Sequence, residues 1–294
     1  MAATSVTAEL LTLLTVFVIA GGVGVIVAKV GRFPYTIALL IAGFVVSLAG
    51  VEIGIELSHD VILLVLLPPL LFEGAATTDF EVLRENWIPI VVLAVPGLIV
   101  SVLVLGGVGH LVFGFPILIA TLFGAIVLPT DPVSVLALFD ELGVPDRLSV
   151  IVEGESLIND GVGVVLYTAL LGLVSGPLAA GVPGEQLLTP ATVIAIGREI
   201  AIASFGGLLV GLVAGYSVYS VMINLDERMT EVIFTFILAY GSFLLAEHFL
   251  HVSGVIATVT AGLFIGNRGA EHAMSPQTKI SVFTTWETAA FVVN

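Results

Sequence analysis

Apolar residues run along this chain in stretches of about 16 to 30 positions, long enough at 1.5 Å per residue to cross a hydrocarbon core roughly 30 Å thick. Charged or Pro/Gly-rich breaks separate them. The pattern predicts helical spans near residues 8–28, 34–50, 60–77, 88–113, 116–138, 147–175, 190–222, 230–249 and 254–267. A tenth starts near 282 and is still apolar at Asn294, so the chain is expected to be the front part of a longer protein. The first span has no basic residue ahead of it and Lys29 behind it, which marks a retained span and not a cleaved signal peptide. The one linker-like stretch, residues 175–190, joins two spans and not two soluble domains.

Composition agrees with this reading. Of 294 residues 58% are hydrophobic and 11% charged, and the mean hydropathy is +1.19, which places the chain among all-α polytopic membrane proteins. The absence of cysteine excludes a disulfide scaffold and a cysteine-based zinc site in this stretch. Lys29, Arg32, Arg84, Arg147, Arg228, Arg268 and Lys279 all fall in alternate loops, and only Arg198 falls elsewhere. By the positive-inside rule those loops are cytoplasmic and the N-terminus is outside, in a multi-pass protein of the cell membrane. The formal net charge of -15 argues against nucleic acid as a partner.

Polar chemistry then stands out by its position. In "GESLINDGVG" of the sixth span, Glu155, Asn159, Ser156 and Asp160 fall within an arc of about 140° at 100° per residue. Leu157, Ile158, Val162 and Val165 cover the rest, so the helix carries one wet stripe, with Gly163 leaving room beside it. A charged side chain at mid-bilayer costs about 2.5 to 3.5 kcal/mol, so Glu73, Asp131, Glu155 and Asp160 must face water, a counter-ion or each other. Glu155 reads as a carboxylate locked to an arginine. Asp160 reads as functional, as intramembrane ionisable residues do by default.

The fifth span contains "LPTDPVSV". Pro129 and Pro132 lack amide hydrogens, so the carbonyls of Ala125 and Leu128 lose their helical donors, and the helix is expected to break around Thr130 and Asp131. In lipid such a break survives only where it is buried in protein or lines a cavity. Asp131 is expected mainly to cap the second half-helix. In the third span, Pro68 and Pro69 of "LLPPLLFEGA" precede Glu73, which reads either as a ligand or as a gate-side glutamate in a water-filled funnel. Freed carbonyls, Thr130, Ser156, Asp160 and Glu73 form a set of hard oxygen ligands suited to a monovalent or divalent hard cation. Glu153 reads as funnel lining, Ser253 with Gly254 as an N-cap, and the isolated histidines do not suggest a metal centre.

"LLPPLLFEGA", "LPTDPVSV", "EGESLINDGVGVVLY", "AEHFLHVSGVIATVTAGLFIGN" and "WETAAFVVN" resemble consecutive signature segments of the NhaP/NHE branch of the monovalent cation:proton antiporters, the sodium/hydrogen exchangers. The resemblance runs from about residue 32 to Asn294. It implies an antiporter fold of inverted repeats with broken crossing helices, a mobile core domain and a dimerisation domain, hence a homodimer. It implies further that Asp160 exchanges H+ for Na+ or another alkali cation, with Ser156, Glu73 and the Thr130 carbonyl as co-ligands. Asp131 would neutralise helix ends, Asn159 would hold the crossing region together, and Glu155 would pair with an arginine beyond Asn294. No enzyme activity and no cofactor beyond the transported ions is implied.

Two other classes compete with a secondary antiporter. A cation channel needs a continuous polar path, whereas this chain offers one asymmetric cluster with no ring or repeat. An intramembrane aspartyl protease needs two catalytic aspartates, but Pro132 makes Asp131 part of a helix break. Because Asn159 cannot titrate, one exchangeable carboxylate remains and electroneutral exchange is expected. The competing expectation is that Glu155 supplies a second proton while Asn159 donates a hydrogen bond to carbonyls freed at Thr130.

Overall fold

The computed structural model describes residues 2–31, 35–50, 58, 61–130, 132–178, 180–182, 187, 189–225 and 227–293. Every regular element among them is helical. The chain divides into two compact units between residues 62 and 63.

The first unit is a helical pair, α1 (Ala2–Val30) and α2 (Tyr35–Leu48). The Tyr35 hydroxyl donates to the carbonyl of Ala20 at 3.1 Å. In hydrocarbon that bond satisfies a phenol that would otherwise be costly to bury.

The second unit contains α3 (Leu67–Thr77), α4 (Phe80–Glu85), α5 (Trp87–Phe113), α6 (Ile117–Val127), α7 (Val133–Leu142), α8 (Asp146–Leu173), α9 (Pro190–Met222), α10 (Arg228–Leu244), α11 (Gly254–Phe264) and α12 (Pro276–Val293). Five helices, Leu11–Lys29, Trp87–Phe113, Asp146–Gly176, Pro190–Met222 and Arg228–Phe249, are long and apolar enough to cross a membrane. Ile37–Leu48, Ile62–Thr77 and Ile117–Val127 are shorter apolar helices.

Prolines shape several of them. Wide π-helical turns at Ile62–Leu66, Leu93–Gly97 and Val174–Leu178 lie at or just before Pro68, Pro96 and Pro177. A proline gives no amide to the turn behind it, and its ring crowds the carbonyl there. A wider turn relieves both problems without ending the helix. Pro129 and Pro132 go further and divide the stretch expected at 116–138 into α6 and α7. The last helix starts at Pro276, before the span edge expected near 282, because Ser275 caps it by accepting the Thr278 amide. Residues 179, 183–186 and 188 of the linker-like stretch lie outside the described residues, as does Asp131.

Caps fix other ends. The Glu227 carboxylate accepts the Thr230 amide at 2.7 Å, and these Thr230 bonds hold it below the usual carboxylate range. The Ser253 hydroxyl accepts from Ile256, and Glu247 accepts the Gly254 amide at 2.8 Å, so α11 starts with two side-chain acceptors.

α8 lies between two packed groups. On one side Leu98, Val102, Leu118 and Ala125 of α5 and α6 meet Val162, Val165 and Leu166. On the other, Gly161 lies against Ile256 of α11. A third cluster centres on Trp286 of α12, which lies between Phe72 at 4.6 Å and Phe236 at 4.4 Å and donates its indole N–H to Thr235 at 2.9 Å.

Candidate functional site

The site is built where α8 meets the break between α6 and α7. The last helical bond of α6 runs from the Leu128 amide to Gly124, and α7 opens when the Pro132 carbonyl accepts from Leu136. Between them the Thr130 carbonyl turns out of the ladder. The Ser156 hydroxyl donates to it at 2.6 Å. Ser156 is buried, so this bond satisfies a backbone group that the prolines prevent the helix from satisfying.

Asn159 is 1% exposed and donates its amide to Glu155 Oε1 at 2.8 Å and, at the long limit of 3.5 Å, to Thr130 Oγ1. The sequence suggested a bond from Asn159 to the freed carbonyl. That carbonyl is held by Ser156, one position short of a full turn earlier, and Asn159 reaches the Thr130 hydroxyl. Asn159 Oδ1 is buried with no hydrogen-bond partner among the described residues. Asp160 is half-buried on the same helix.

Gly163 lets the break approach. A Cβ there would lie 2.6 Å from Pro129 Cγ, closer than two carbons can stand. Ser156, Asn159 and Gly163 are therefore three points on α8 that register it against residues 129–130.

Glu73 belongs to a neighbouring group. It is half-buried on α3, and the charges of Glu287 on α12 and Glu153 on α8 act on it. Glu153 accepts a hydrogen bond from Thr78 at 2.9 Å, just past the end of α3. Asn267 ties the same corner, donating to the Thr78 carbonyl at 3.0 Å and accepting the Phe80 amide at 3.0 Å.

The Thr78–Glu153 bond also sets depth. Leu63 and Leu67 at the other end of α3 share a cluster with Val164 of α8, so the two helices run antiparallel. Glu73 precedes Thr78 by five positions and Asp160 follows Glu153 by seven. At 1.5 Å per residue these are climbs of about 7.5 and 10.5 Å in one direction, so Glu73 and Asp160 stand at nearly the same level.

Of the residues singled out from sequence, the structure thus joins Thr130, Ser156, Asn159 and Glu155, and sets Glu73 at nearly the level of Asp160. Asp131 lies outside the described residues. Thr78 and Glu287 were not singled out. Glu287 carried a signal, an acid within the tenth apolar stretch, whereas Thr78 is an ordinary threonine at a helix end whose role appears only in three dimensions.

The profile of the sodium/hydrogen exchanger transmembrane family matches residues 12–293. The chain is 39% identical over 263 residues to the Na(+)/H(+) antiporter ApNhaP of Aphanothece halophytica, covering 90% of this chain and 48% of that protein. It is 38% identical over 289 residues to the Na(+)/H(+) antiporter NhaG of Bacillus atrophaeus, covering 95% of this chain and 53% of that protein. The chain therefore spans about half the length of the curated relatives it matches. Its fold is similar to that of the sodium proton antiporter MjNhaP1 from Methanocaldococcus jannaschii, with a TM-score of 0.76 and 21% identity over 98% of this chain and 69% of that one. With the profile matching nearly its whole length, this chain belongs to the sodium/hydrogen exchanger family.

Proposed function

We propose that the full-length protein exchanges Na+, or another alkali cation, for H+ across the cell membrane. The observation that carries this reading is the bond from Ser156 to the Thr130 carbonyl, which fixes oxygen ligands from a broken helix beside the Asp160 turn of α8. Asp160, Ser156, Glu73 and the Thr130 carbonyl form the cation site, and Asp131 neutralises the exposed helix ends. The donor set suits the cargo: it is all oxygen, with carboxylate charge and no imidazole or thiolate. The relatives named as Na(+)/H(+) antiporters support the choice of Na+.

Asp160 holds either a proton or a cation when the site changes sides. The ionised empty form is too costly to move through a low-dielectric barrier, and this couples the two flows. Glu155, already holding Asn159, pairs with an arginine from a later helix. The ten stretches read from the sequence are spans of a homodimeric protein whose basic loops face the cytoplasm, with the end of the chain before the first stretch on the outer side. Neither a channel nor a protease is favoured for a member of this family.

The test is Asp160→Asn in the full-length protein, assayed in liposomes for Na+-driven proton movement. The amide neither titrates nor balances a cation, so exchange should vanish while the protein stays folded. Residual exchange above background in a folded variant would overturn the assignment.

A further inference from the structure

Two consecutive prolines open α3. Neither Pro68 nor Pro69 offers an amide hydrogen, so the carbonyls four residues back, those of Leu64 and Val65, lose their helical donors. A carbonyl freed within the hydrocarbon region needs a donor from elsewhere in the protein. The Tyr240 hydroxyl of α10 supplies one, donating to the Val65 carbonyl at 3.2 Å. Ser156 does the same for Thr130: in both places a hydroxyl on a neighbouring helix fills the gap that proline leaves.

The donor is itself held in place. Beside Tyr240, the Ala239 carbonyl accepts from Thr258 of α11 at 3.3 Å, and Thr235 on the same helix accepts the Trp286 indole N–H. α3 rests against this group. Phe72 packs on Trp286 with ring centroids 4.6 Å apart, and Gly262 brings α11 close, since a Cβ there would stand 2.9 Å from the Ala75 Cβ. At the other end of α3, Asn267 donates to the Thr78 carbonyl at 3.0 Å. Side chains from α10 and from the end of α11 therefore hold backbone carbonyls on either side of α3, Val65 before it and Thr78 after it.

Glu73 stands between the two ties. It follows Val65 by eight positions and precedes Thr78 by five, about 12 and 7.5 Å along the axis, and it lies one turn after Pro69. If the Val65 carbonyl were released, the wide turn before Pro68 would have to retwist to find another donor. The stiff helix beyond it would carry that displacement to Glu73. A ligand must be held within about 0.5 Å of its working position, so a small tilt of α3 is enough to weaken binding.

We propose that Tyr240 is a positioning residue for the cation site: by holding the carbonyl that Pro69 releases, its hydroxyl sets the tilt of α3 and so the reach of Glu73 toward a cation at Asp160. The proposal rests on the reading of Glu73 as a cation ligand.

Tyr240→Phe removes the hydroxyl and little else. In the full-length protein, Na+ affinity is read as the KM of exchange in liposomes and as the Na+-dependent rise in melting temperature. Tyr240→Phe should weaken it by about three- to tenfold, the range that one lost hydrogen bond supplies, with the maximal rate retained. A lower melting temperature with unaltered Na+ affinity would make the bond structural only and overturn the proposal. The same substitution is then made in Glu73→Asp, which keeps a carboxylate and hence a measurable affinity. Substitutions that share no partner ordinarily add, so a non-additive loss shows that Tyr240 acts through Glu73, and an additive one would overturn that role. Glu73→Gln tests the ligand itself. Unchanged Na+ affinity there would remove Glu73 from the ligand set and the role of Tyr240 with it, whereas a loss there beside a silent Tyr240→Phe would overturn Tyr240 alone.

Discussion

The Ser156 hydroxyl stands 2.6 Å from the Thr130 carbonyl, joining the middle of α8 to a backbone group that two prolines have released from its helix. A serine on the polar stripe and a broken helix would each be unremarkable alone. Together they place a hydroxyl, a carbonyl and the Asp160 turn within one neighbourhood, where helix registry and the proposed supply of ligands rest on the same interaction.

Ser156→Ala tests that dual role. The substitution leaves the Thr130 carbonyl without its side-chain donor, at a cost of about 0.5–1.5 kcal/mol, and removes one oxygen from the proposed site. Thermal stability should fall, and the apparent affinity for Na+ should weaken about tenfold, the equivalent of about 1.4 kcal/mol. Exchange titrated against Na+, alongside a melting curve, separates the two effects. An unaltered Na+ dependence would remove Ser156 from the ligand set.

Gly163→Ala tests registry without touching a ligand. Its new methyl would overlap Pro129, whose position is restrained by the two half-helices, and overpacking of this kind costs about 1–3 kcal/mol. The break should shift away from α8 and stretch the Ser156–Thr130 contact. Both melting temperature and Na+ affinity should drop, although no polar group has changed. Normal Na+ affinity in the variant would show that the break tolerates displacement.

Thr78→Val should destabilise the contact between α3 and α8. Thr78 is buried and Glu153 accepts its hydroxyl, so the variant strands a carboxylate at a cost of about 1–3 kcal/mol. Adding Glu153→Gln should recover part of the loss, because a neutral amide is cheaper to leave unpaired than a carboxylate. A double-mutant cycle on thermal unfolding measures the coupling. Additive losses would mean that the bond contributes nothing to holding the helices together.

Stoichiometry follows from the residue before Asp160. Asn159 cannot titrate, and in the proposed mechanism Glu155, which accepts its amide, stays paired with an arginine, which leaves Asp160 as the one exchangeable carboxylate on this stripe of α8. One Na+ should replace one H+. In liposomes clamped with K+ and valinomycin, the equilibrium Na+ ratio should then be independent of voltage. A net charge moved per cycle would shift it by more than tenfold per 100 mV, since that charge carries about 2.3 kcal/mol, and would implicate a second carboxylate.

The sequence by itself determined the apolar stretches, the break at Pro129 and Pro132, and the shared face of Glu155, Ser156, Asn159 and Asp160. Each follows from local rules: proline lacks an amide hydrogen, and a helix turns 3.6 residues at a time. Only the tertiary structure decided that Ser156, and not Asn159, holds the Thr130 carbonyl, and that Thr78 meets Glu153 while Glu287 stands near Glu73. Helical periodicity gives the face on which a residue lies and its depth along its own axis, but not the rotation or slide of one helix against the next. Here those are set by close approaches at glycine, Gly163 on Pro129 and Gly161 on Ile256, between partners far apart in the chain. Local sequence rules do not specify which side chains such contacts bring together.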